Sequence, residues 1–199
     1  MARKSALERR RELIEAGLRV IAREGMHGAT VRAIVAEAGV PLATFHYVFD
    51  SRDQMIGEAY AYIAVLPEDD LAEVIPTDAT PEGAVRALLL LWFGRFLEHP
   101  EYELAVMEIM AYCSRTPPLA QLPAAVQERY LEVVVGGVEL LRARFGGTGG
   151  LSAREVAELF LHTTDGITYC WLRTRDTDAS HRTIDVAVPV LAAAVVGTS

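Results

Sequence analysis

The chain has 199 residues, 51% hydrophobic and 23% charged, with a formal net charge of -8. That balance excludes a disordered chain and suits one or two compact domains with a core of useful size. Cys113 and Cys170 lie far apart, with no C-x-x-C and no histidine cluster beside them, so neither a disulfide framework nor a zinc site is expected and the environment is a reducing cytoplasm.

The opening residues MARKSALERRRELIEAG carry charge where a signal peptide needs an apolar run, and no stretch of 18 uninterrupted apolar residues occurs. From about Leu7 to Glu24 the apolar positions Leu13, Ala16, Val20 and Ile21 recur at helical spacing, and Gly25 supplies a stop. Thr30 caps a short second helix with Ile34, Val35 and Ala38 inward, and Gly39 ends it in a tight turn. Pro41 suits the first turn of a third helix reaching about Phe49. Ser51 and Gln54 form an S-x-x-Q capping box that opens a fourth, with Met55, Ile56, Ala59 and Ile63 apolar.

Two short helices joined by a glycine turn and braced by a longer one are the parts of a helix-turn-helix. At 100° per residue Phe45 and Phe49 share one side of the third helix, while Ala43, Thr44 and Tyr47 share the opposite side and are free to meet DNA. The same spacing fits any three-helix packing with a solvated outer face. Charge is divided in the same way: residues 1 to 52 carry nine Lys/Arg against six Asp/Glu, and the remainder ten against twenty-one. A basic head on an acidic body concentrates attraction for phosphate at one end.

The run EGMHGATVRAIVAEAGV, then TFHYVF and DSRDQMI, resembles the DNA-binding domain of the tetracycline-repressor (TetR) family of bacterial transcription regulators over residues 9 to 56. That resemblance implies that Arg32 reaches a base edge, that Thr44 and Tyr47 touch backbone or bases, and that Arg52 stands where the family has a lysine meeting phosphate at a helix start. His46 replaces a tyrosine that contacts phosphate and can still donate there, with a pH dependence tyrosine lacks; its other reading is a half-exposed flank residue. Pro41 replaces a serine cap. Leu42 lies near the Phe45 side by angle and against DNA by resemblance, so a thymine methyl contact and local packing both remain open.

Residues 53 to 199 resemble the family only in layout. Helix 4 is expected to end near Leu66, and PEDDLAEVIPTDATP links it to a helix over about 82 to 98; EYELAVMEIMAYCSR, a long helix to Phe145, a capped helix from Ser152 to about Arg173 and a C-terminal helix follow. GGTGG, residues 146 to 150, is a loop and not a nucleotide-binding fingerprint, since it lacks the P-loop lysine and follows no strand; no cofactor or metal is expected. IDVAVPVLAAAVV is apolar all round, but 13 residues interrupted by Pro189 are too few to span a bilayer, and no membrane partner is expected. A second copy is its simplest cover, with Phe160, Ile167, Trp171, Val188, Leu191 and Val195 as expected dimer contacts; burial within one chain is the alternative.

The expectation is an all-α protein of about nine helices: a helix-turn-helix domain over 1–52 and a helical effector-binding and dimerisation domain over 53–199. Its partners are a double-stranded DNA operator, a second copy of itself and a small, partly apolar effector. Trp92, Phe96, Met107, Met110, Cys113 and Tyr169 are candidates to line the effector cavity, with His162 or Asp165 as a polar orienting group. Histidines 27, 46, 99, 162 and 181 stand singly, with no H-E-x-x-H or G-x-S-x-G, which weighs against the alternative of a helical-bundle enzyme or a small-molecule binder that ignores DNA.

Overall fold

Regular structure in the computed structural model, which describes residues 5–63, 75–147 and 150–197, is entirely helical. The described residues form nine α-helices and a 3-10 turn, arranged in two compact units.

The first unit comprises, among the described residues, 5–63 and 99–127. Helix α1, Ala6–Gly28, starts at a reciprocal capping box: Ser5 Oγ accepts from Glu8 N at 3.2 Å, and Ser5 N donates to Glu8 Oε2 at 2.6 Å. The expected stop at Gly25 is a kink, with φ +72 and one further turn after it. A side chain there would be strained, which explains glycine at this position.

Thr30 Oγ1 accepts from Ala33 N at 3.1 Å to open α2, Val31–Glu37. Gly39, at φ +65, turns the chain into α3, Leu42–Val48. Pro41 precedes the first turn of α3 in extended geometry rather than occupying it. Helix α4, Arg52–Ile63, has its first turn bonded by Ser51 Oγ, which accepts from Gln54 N, while Gln54 reaches back to Asp50 N rather than to Ser51. Its expected end near Leu66 lies outside the described residues.

The α1 to α4 core holds Leu13, Ala16, Val20, Ile21, Ile34, Val35, Phe45, Phe49, Met55, Ile56 and Ala59. Helical periodicity singles these positions out, while Ala38, also expected inward, is half-buried, and Ile14 and Leu18 are buried as well. Helix α1 approaches α4 so closely that a Cβ on Gly17 would stand 3.1 Å from the Met55 sulfur. Helix α6, Pro100–Arg115, packs on α1 and α4 in the same unit and buries Ala105, Ile109 and Cys113. The 3-10 turn Pro117–Leu119 follows it.

The second unit comprises, among the described residues, 75–98, 128–147 and 150–197. It contains α5, Pro81–Glu98; most of α7, Leu122–Phe145; α8, Ala153–Thr174; and α9, Thr177–Val196. Phe93, Leu89, Leu141, Val156, Ile167, Ile184, Val188 and Leu191 meet in its core. Ser152 and Glu155 form the expected capping box of α8, and Arg142 donates to Val195 O at 3.0 Å, fastening the end of α9.

Helix α9 is longer than its apolar stretch, running through 20 residues from an Asp176 cap. By length and composition alone it could cross a membrane. Its buried side, Ile184, Val188, Leu191, Ala192 and Val195, is instead part of the core, and its outer side carries Arg182 and Asp185.

Candidate nucleic-acid interface

Helix α3 divides its side chains sharply. Phe45 and Val48 are buried, and Phe49 follows them into the core, with the Phe45 and Phe49 rings 5.3 Å apart. Leu42, Ala43, His46 and Tyr47 are exposed and Thr44 is half-buried; Tyr47 is 70% exposed. His46 sets its ring edge-on to Phe45 at 5.6 Å, which holds the imidazole beside the outward side. Aromatic anchoring from one face therefore holds out the other, as a recognition helix requires.

Charge at this end is mostly spent internally. Arg9 pairs with Glu12, Arg10 with Glu58, Arg11 with Glu15, and Arg19 and Arg23 with Glu37. Arg10 also donates to Val48 O, the last residue of α3, and lies 4.5 Å over the Phe49 ring, fixing the exit of that helix. Two arginines hold the Glu37 carboxyl below the ordinary carboxylate range. Among the arginines described in residues 5–52, Arg32 alone has neither a carboxylate nor a carbonyl partner, and it is exposed in the first turn of α2. A free guanidinium on α2, the helix that packs on α3, is suited to guanine O6 and N7 or to a phosphate.

Arg52, expected to meet phosphate at the start of α4, has backbone partners in this fold. Its Nε donates to Ala29 O and its Nη2 to Met26 O, both at 2.6 Å, and its guanidinium lies 5.3 Å from the Tyr112 ring centre. Those donors are committed to the corner between α1 and α2, so Arg52 holds that corner in place. Tyr112 Oη donates to Asp53 Oδ1 at 2.5 Å, which with burial raises the tyrosine pKa. Glu108 accepts from Met26 N. Helix α6 thus grips the backbone just ahead of Arg32. Sequence reasoning missed Glu108 and Tyr112, because no local signal pairs residue 108 with residue 26.

Residues 13–59 match the family described as bacterial regulatory proteins, tetR family. The nicotine-responsive transcriptional repressor HdnoR of Paenarthrobacter nicotinovorans is 26% identical over 162 residues, covering 81% of this chain and 82% of its own. The chain belongs to the TetR family. It is a DNA-binding transcriptional regulator, and the relatives' naming as regulators removes the enzyme alternative. Solved structures agree in fold. A TetR transcription regulator from Haloarcula marismortui superposes with a TM-score of 0.73 at 19% identity, over 94% of this chain and 97% of its own. FadR from Bacillus subtilis, in complex with stearoyl-CoA, gives 0.67 at 19% identity, over 95% and 99%.

In this TetR-family chain the eight effector candidates fall in both units. Met107, Met110 and Cys113 lie on α6 in the first, Cys113 buried and Met110 exposed. Trp92, Phe96, His162, Asp165 and Tyr169 lie on α5 and α8 in the second. Trp92 stacks on Phe96 with centroids 6.3 Å apart, and Phe96 meets Trp171 edge-on at 5.2 Å. Asp165 is exposed by area, yet neighbouring atoms crowd its carboxyl enough to raise its pKa, with His162 acting the other way. An open cleft of about 330 Å³ in the first unit is lined by Glu15, Leu18, Arg19, Tyr62 and Tyr102. Another, of about 390 Å³ in the second, lies along Thr80 to Glu82 and the end of α9. Neither includes an effector candidate.

Of the expected dimer contacts, five are buried within the chain. Phe160, Ile167, Val188, Leu191 and Val195 are buried, and Trp171 is half-buried with its Nε1 donating to Thr177 Oγ1. On α9, Val186 and Val190 are 73% and 59% exposed, with Pro189 between them; Gly166 and Cys170 are exposed on α8.

Proposed function

We propose that this regulator binds a palindromic operator as a homodimer and represses transcription in the cytoplasm until a small, partly apolar effector releases it. The reading head is residues 1–52, and sensing and pairing belong to 53–199. The observation that carries the reading is the exposed, unpaired guanidinium of Arg32 on α2, the helix that packs on α3, together with an α3 whose Leu42, Ala43, His46 and Tyr47 face outward. Arg32 reads a base edge, His46 and Thr44 meet phosphate, and Tyr47 touches backbone or base. Arg52 contributes by holding the α1–α2 corner.

A second copy covering Val186 and Val190 gives a two-fold dimer, whose half-sites lie about 34 to 36 Å apart. HdnoR is named nicotine-responsive and FadR was solved with stearoyl-CoA; each of those molecules joins an apolar body to a polar or charged end. The Trp92 and Phe96 aromatics, with Asp165 and His162 on α8, offer the same pairing of chemistries here. Effector release requires tighter binding to one spacing of the heads, with a coupling of about 1 to 3 kcal/mol.

Selection of genomic fragments in vitro by the full chain tests this. Recovery of a palindrome, with affinity falling linearly in log salt, is expected. A chain that stays monomeric and recovers no preferred fragment contradicts it.

A further inference from the structure

The outward side of α3 lacks the side chains that usually read bases in pairs of hydrogen bonds. Leu42, Ala43, His46 and Tyr47 are exposed and Thr44 half-buried, with no arginine, lysine, asparagine or glutamine among them. Those four types make the bidentate pairs with guanine and adenine. Leu42, 43% exposed, stands one turn before His46, and Pro41 ahead of it restricts the backbone to φ -62 and ψ 149. Its side chain can form no hydrogen bond. Next to it Ala43 adds a bare, exposed methyl.

A single exposed leucine is ordinary on a protein surface. On a face that enters the major groove its options narrow, because thymine's C5 methyl is the apolar group that base edges display there. We propose that Leu42 is a specificity-determining residue that packs on a thymine methyl in each half-site, with hydrogen-bonded base reading left to Arg32. This rests on the DNA-reading function proposed above. Docking removes both the isobutyl group and the methyl from water, and burying one methyl is a factor of about four in affinity.

The test uses the full chain and the operator recovered by selection. Each thymidine is replaced singly by 2′-deoxyuridine, which deletes only the methyl. At one thymine per half-site the wild-type chain should lose about fourfold in affinity. Leu42→Ala should show no such loss at that position, whereas Leu42→Met, which keeps an apolar contact, and Arg32→Ala should retain it. Melting temperatures of Leu42→Ala and wild type should agree, since the residue is outside the core. If every thymine tolerates replacement within about a factor of two, or if Leu42→Ala stays as sensitive as wild type, the assignment is overturned. Failure to recover any preferred operator would strike the DNA-reading function itself, so the two failures are distinct.

Discussion

For Arg52 the family resemblance implies a phosphate contact while the fold shows two carbonyl partners, and substitution separates the two roles. Two of its donors serve the carbonyls of Met26 and Ala29, at part-buried positions. Hydrogen bonds to a charged donor contribute about 1.5 to 3 kcal/mol each, and partial exposure reduces that, so Arg52→Met should cost about 2 to 4 kcal/mol. For a chain of this size each kcal/mol lowers the melting temperature by about 2 to 4 °C, so thermal unfolding followed by circular dichroism should register a fall of about 4 to 16 °C. Arg52→Lys keeps the charge but lacks the planar fork, so it should lose about half as much. The slope of log affinity against log salt should stay nearly unchanged in the methionine variant. A direct phosphate ligand behaves otherwise: Arg52→Met would melt with wild type while the salt slope fell by about one. That result would refute the clamp.

Arg32→Ala should lower specific binding by about 1 to 3 kcal/mol and relax preference at one base position, seen as a smaller ratio of operator to random-sequence affinity. Replacing both Val186 and Val190 by aspartate should convert the dimer to a monomer in sedimentation or light scattering, with little change in melting temperature because both are exposed. Tyr112 supplies a pH dependence. Its folded pKa is raised above 10.0 by the hydrogen bond to Asp53 and by burial, so this contribution is complete below 10.0 and disappears as pH rises through the higher folded value. Melting temperature measured across alkaline pH should therefore fall more steeply in wild type than in Tyr112→Phe.

Local chemistry was largely legible in the chain. Ser5, Thr30, Ser51, Ser152 and Asp176 each bond a backbone N–H within three residues, and a cap of that kind is written in contiguous sequence. The outward set of α3 was legible for the same reason: two phenylalanines four apart define its inner side. Gly25 shows the limit of such reading. A glycine signals a break in the helix, but whether the chain leaves or bends and continues depends on Glu108 accepting from Met26 N, 82 residues away.

Sequence by itself determined an all-helical chain, its N-terminal reading head, and which residues of α3 point away from the core. Tertiary structure decided the rest. On α9, apolar on every side, periodicity cannot say which valines are inner; packing against α5 and α8 buries Val188 and Val195 and leaves Val186 and Val190 outside. On α4, a motif places an arginine at the helix start but cannot show that two carbonyls and Tyr112 await its guanidinium. Caps and helix faces are set by neighbours within a turn or two, while orientation about a uniformly apolar axis and the partner of a long charged side chain are set by whatever distant chain packs there.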